Sequence, residues 1–170
     1  TGAEVEIHLH HRHDTPAGLR RKLEYFRDIL HRDHGCLGVW PDGRPAYGFV
    51  HGNWALCNAR PDGDWCGVNE ELGLLAATGC YADFTFPSAP SPTQPRQVNR
   101  LYRAVDTGRP RAADAGRAVT AGTPPATRAA AGLLLVTGPL ALDWSRRKAG
   151  LLPRLENAEL SGANPPTPDR

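Results

Sequence analysis

Glu4-Val5-Glu6-Ile7-His8-Leu9-His10-His11-Arg12-His13-Asp14 is the stretch that decides the fold, and it holds four of the chain's seven histidines. Val5, Ile7 and Leu9 alternate with Glu4, Glu6, His8 and His10, a period of two that predicts a β-strand with one apolar and one ionisable face. Residues i and i+2 of a strand point the same way about 6.6 Å apart, so His8 and His10 converge near the strand's end while His11 is directed to the other face. Two neutral imidazoles so placed can bind one zinc or similar divalent ion at about 2.0–2.1 Å each. We expect His8 and His10 to be metal ligands, with a third drawn from His13, Asp14, His51 or Asp83.

Downstream, Asp14 or Thr15 can cap a helix that Pro16 opens, and Leu19, Leu23, Phe26 and Leu30 form its apolar stripe. The helix is expected over 16–33, with Gly35 ending it and His31 and His34 at its C-terminal end. A turn at 40–45 leads to a buried strand at 46–51, whose end carries His51, Asn53 and Trp54. Asn69 is a candidate N-cap for a second helix at 69–78, built on Leu72, Leu75 and Ala76 and closed by Gly79. Further strands are expected at 80–86 and 133–137.

This alternation predicts an α/β fold with parallel strands. In such folds ligands sit beyond the carboxyl ends of the strands. Those ends deliver His8 with His10, then His51 with Asn53 and Trp54, then Asp83. His51, Asn53 and Trp54 offer a stacking face beside hydrogen-bonding groups, which suits a sugar. Residues 107–131 have few large apolar residues and are expected to form a flexible excursion. Asp143 to Lys148 reads as a basic turn opening a solvent-facing helix.

Bulk properties narrow the classes. A chain of 170 residues supports one domain with a real core, and a net charge of +2 leaves no nucleic-acid footprint. No run of 18 apolar residues and no signal pattern is present, so we expect no membrane span and, by default, a cytoplasmic location. Cys36, Cys57, Cys66 and Cys80 show no C-x-x-C spacing and read as buried or half-buried thiols. Methionine is absent, and with a strand at one end and a proline-rich loop at the other we expect a piece of a longer protein.

With those residues in hand, the segment from Glu4 to Pro90 resembles the polysaccharide-deacetylase-like group. Glu4 to His10 looks like the strand bearing that group's metal histidines, while Tyr47 to Leu56 and Cys80 to Pro90 look like later barrel strands with their loops. Gly138 to Trp144 and the tail from Glu156 to Asp169 look like uncharacterised bacterial relatives. The resemblance implies a single partial, distorted β/α barrel spanning residues 1–170. It also implies a zinc-dependent hydrolase that removes acyl groups from a glycan, with Asp83 as the strand-end carboxylate joining the site. The pattern departs from the group in one visible place: Arg12 stands where the second metal histidine is usual, so His10 or His13 would substitute. The group's aspartate pair lies on an earlier strand that this chain lacks, and its general-acid histidine on a late strand, expected beyond Arg170.

Two rivals remain on the same residues. One is a phosphoesterase or amidohydrolase with a metal-binding H-x-H on its first strand. The other is a non-catalytic glycan-binding relative, which would bind sugar without stoichiometric metal.

Overall fold

The computed structural model describes residues 5–122 and 132–157. Helix α1 (Pro16–Asp28) starts where the side-chain oxygen of Thr15 accepts from the Gly18 amide, with Pro16 at the first helical position. It continues as a π-helical turn over Ile29–Asp33 and ends before the left-handed Gly35. Leu19 and Leu23 are fully buried, worth about 1.5–3 kcal/mol each relative to exposure. Phe26 stays 42 % exposed, so the expected stripe is narrower than its spacing suggests.

Among the described residues the sheet has seven strands: β1 (Ile7–Leu9), β2 (Gly38–Val39), β3 (Pro45–His51), β4 (Cys80–Asp83), β5 (Leu101–Ala104), β6 (Arg117–Ala118) and β7 (Leu133–Val136). The path runs β1-β3-β4-β7-β5-β6, with β2 on β3. Pairs β1–β3, β3–β4 and β4–β7 are parallel, and these four strands are the ones expected from the sequence. Pairs β2–β3, β5–β7 and β5–β6 are antiparallel. The fold is therefore mixed α/β with a parallel centre.

Helix α2 (Glu71–Thr78) packs against α1, β4 and β7, and closes the core over Tyr47, Phe49, Leu72 and Leu75. Its N-cap position is Glu70 without a side-chain bond, not Asn69, whose Oδ1 instead accepts from Asn58. Its stop is Gly79 at φ 118°, where an added Cβ would lie 2.5 Å from the Pro45 carbonyl oxygen. Gly79→Ala should lower the unfolding free energy by about 1–3 kcal/mol through that strain. A thermal melt checks this; an unchanged midpoint would contradict it.

Two other expectations are corrected. Strand β4 stops at Asp83, because the Asp83 and Thr85 side chains bond each other and turn the chain. Asp143 to Lys148 opens no helix: β8 (Ala141–Lys148) pairs antiparallel with β9 (Leu152–Glu156) as a hairpin. Left-handed Ala149 and Gly150 form its turn, the geometry that suits the twist of a hairpin. Within the expected excursion, residues 107–122 carry a 3₁₀ turn at Ala112–Asp114 and strand β6, with Ala112 and Ala113 buried. Arg111 fastens this segment by donating to the Ala59, Pro92 and Gln94 carbonyls and to Asp114. Small residues and one arginine thus replace the large apolar residues it lacks. Residues 123–131 of the excursion, and most of the tail from Glu156 to Asp169, lie outside the described residues.

None of the four cysteines forms a disulfide, and Cys57, Cys66 and Cys80 are buried. Among the described residues, no helix is long and apolar enough to cross a membrane.

Candidate functional site

The parallel register brings the ends of β1 and β3 side by side, with Leu9 opposite His51 and the Gly52 amide donating to the Leu9 carbonyl at 3.0 Å. Two histidine groups form there, one outside and one inside.

Outside, His8 and His10 are exposed, and their Nε2 atoms stand 3.0 Å apart. The Nδ1 of His10 is 2.9 Å from the Asn53 side-chain oxygen. Around them the rim carries Trp54, 52 % exposed, and Trp65, over which the Arg12 and Arg60 guanidiniums sit at 5.2 and 5.7 Å. Arg12 also grips Asp64 with two bonds of 2.8 Å. Trp54, Cys57, Asn58 and Trp65 all have positive φ. Such backbone costs free energy and is retained where the surrounding structure holds it, often near functional sites.

Inside lies a group that the sequence does not assemble. His11, expected on the face opposite His8 and His10, is 2 % exposed and continues the buried phase of Ile7 and Leu9. His51, expected at a sugar, is instead fully buried, in phase with Tyr47 and Phe49. Between them stands Glu71, from the first turn of α2, also fully buried. His11 Nε2 bonds Glu71 Oε1 at 2.9 Å, the Cys57 amide donates to Oε2 at 2.7 Å, and the Cys66 thiol lies 3.4 Å from Oε2. His51 Nε2 is 3.8 Å from Oε1.

Burial pushes the Glu71 carboxyl up, but His51, the His11 bond and the Cys57 amide outweigh it and hold the group below its usual range. Burial takes His51 down to about 4, against the pull of Glu71, so this ring is neutral at pH 7. Burial, and then Glu71, push the Cys66 thiol up.

His11, His51, Cys66 and Glu71 place their ligand atoms within 4.8 Å of one another, so the group could hold a metal ion. Without an ion its protons serve a structural use. The Asn53 amide donates to His51 Nδ1 at 3.2 Å, which leaves the proton of the neutral ring on Nε2. An ion there would need that nitrogen bare and the Cys66 thiol deprotonated. As it stands, the protons of His11, Cys57 and Cys66 satisfy Glu71, and the group ties the ends of β1 and β3 to α2.

The remaining expected site residues are held by other groups. Asp83 is 1 % exposed; Thr85 donates to it from its hydroxyl at 2.7 Å and from its amide at 3.1 Å. The same hydroxyl accepts from the His51 amide at 2.8 Å. Burial lifts the Asp83 carboxyl to about 7. His13 lies 3.3 Å from Asp64, and Asp14 is held by Lys22 at 2.7 Å. Each candidate third ligand is therefore engaged elsewhere. No protein-family model, curated protein or solved structure matches this chain.

Proposed function

We propose that the chain is a metal-dependent hydrolase of the polysaccharide-deacetylase type, acting on acyl groups of a glycan, and that its parallel strands are part of a distorted β/α barrel. The observation that carries this reading is the His8–His10 pair, with two ring nitrogens 3.0 Å apart at the carboxyl end of β1. Two nitrogens at that separation can both lie about 2.0–2.1 Å from one ion, and imidazole donors suit zinc. When bound, such an ion lowers the pKa of a water and polarises an acyl carbonyl.

The chain's own residues supply the surroundings. Trp54 offers an exposed ring for a sugar face, and the Arg12–Asp64 pair beside Trp65 stiffens the rim. Asp83, enclosed by Thr85, supports the backbone of His51 through that hydroxyl. The residue that takes the water proton is not among these groups.

Zinc content and affinity of the wild type, a His8→Ala, His10→Ala double variant and Cys66→Ser test the reading. The double variant should lose the zinc and Cys66→Ser should keep it. The reverse would place the ion in the buried group and remove His8 and His10 as ligands. Acetate release from an N-acetylated oligosaccharide by zinc-loaded protein tests the chemistry. Sugar binding with no release and no bound metal would favour the non-catalytic glycan-binding reading instead.

A further inference from the structure

We infer that Asn53 is a positioning residue that fixes which ring nitrogen of His10 is free to bind a metal; this rests on the metal-site reading above. The orientation of the Asn53 amide is set by its neighbours. Its Nδ2 donates to the carbonyl oxygens of His11, at 2.9 Å, and Trp65, at 3.3 Å. Neither carbonyl can donate, so the NH₂ group must face them and the side-chain oxygen must face His10.

That oxygen, 2.9 Å from His10 Nδ1, can only accept. The Nδ1 atom therefore carries the proton, and a neutral His10 ring keeps its lone pair on Nε2. This is the nitrogen that faces His8 Nε2 at 3.0 Å. A ligating histidine ordinarily donates its other ring N–H to such an acceptor, which sets both its tautomer and its ring plane.

Gly52 completes the arrangement from the opposite side. A Cβ at this position would lie 2.4–2.6 Å from Nε2, Cδ2 and Cε1 of His10. The ring thus rests directly on the Gly52 backbone, at a closeness that only glycine permits. The His10 ring is bounded by Gly52 and tied to Asn53, two consecutive residues at the end of β3. Asn53, expected from the sequence to meet a sugar, has its amide committed within the protein. The contrast with His51 supports the assignment: the Asn53 backbone leaves a proton on the inner ring's Nε2, while its side chain leaves the outer ring's Nε2 bare.

The test combines ¹⁵N NMR of the metal-free histidines with zinc titration of the full chain, for the wild type, Asn53→Ala and Asn53→Asp. In the wild type, His10 should be the Nδ1–H tautomer. Asn53→Ala should lose that preference and weaken zinc binding about 10–100-fold. Asn53→Asp keeps the acceptor but not the donors, so it should hold the tautomer and most of the affinity while lowering the melting temperature. A wild-type His10 protonated at Nε2, or an Asn53→Ala variant with unchanged zinc affinity, would overturn the inference. If the wild type binds no zinc, the metal reading falls, and the NMR result still decides what Asn53 does to His10.

Discussion

Replacing Glu71 with alanine should destabilise the fold by about 3–5 kcal/mol, the range for removing one partner from a buried charged group. Glu71 accepts from His11 Nε2 and the Cys57 amide and lies within reach of the Cys66 thiol. Truncation leaves these donors buried without the carboxylate, at about 1–3 kcal/mol for each group left unsatisfied. Glu71→Gln separates hydrogen bonding from charge. Its carbonyl can still accept from Cys57, and His11 can move its proton to Nδ1, which lies 3.8 Å from Asp14 and has no partner in the present arrangement. The glutamine variant should therefore lose clearly less than the alanine variant. Urea denaturation of the three proteins measures this. Equal stability of wild type and Glu71→Ala would show that the carboxylate does not hold β1, β3 and α2 together.

The parallel centre was legible because Ile7 and Leu9, Tyr47 and Phe49, and Leu133 and Leu135 alternate or run continuously between clear breakers. The outer histidine pair was legible for the same reason: His8 and His10 share a strand face. The inner group was half legible. His11 follows Ile7 and Leu9 in phase, and His51 follows Tyr47 and Phe49, so each continues a buried side. Two buried imidazoles in adjacent strands call for an acid. Nothing local identifies it as Glu71, since an acidic residue in a helix's first turn usually reads as a solvated charge on the macrodipole. The 60-residue separation of His11 and Glu71 is closed by tertiary packing alone. The β8–β9 hairpin escaped because Arg146, Arg147 and Lys148 mask the alternation of Leu142 and Trp144, and because the turn falls on Ala149 as well as Gly150.

Asp83→Asn should change the pH dependence of stability, and in one direction. Burial raises the Asp83 carboxyl from 3.8 to about 7, so between those values the native state binds the proton that the unfolded state has released. The stability tied to that proton is fully present below pH 3.8 and is lost as pH rises through about 7. His51 works oppositely. Its pKa falls from 6.5 to about 4, so its contribution is full above pH 6.5 and is lost as pH falls toward 4. In the wild type the two trends offset each other across this window. The asparagine variant keeps only the His51 trend, and should gain stability relative to wild type as pH rises from about 4 to 7. The gain is at most about 4 kcal/mol, at about 1.36 kcal/mol for each tenfold change in proton affinity. Any cost of refitting Thr85 around the amide is independent of pH and leaves this slope untouched. Carboxylates common to both proteins cancel in the difference. Unfolding free energies of the two proteins at several pH values between about 4 and 8 give that difference directly. A difference that stays constant with pH would mean that Asp83 is ionised in the folded protein throughout, and that Thr85 alone does not enclose it.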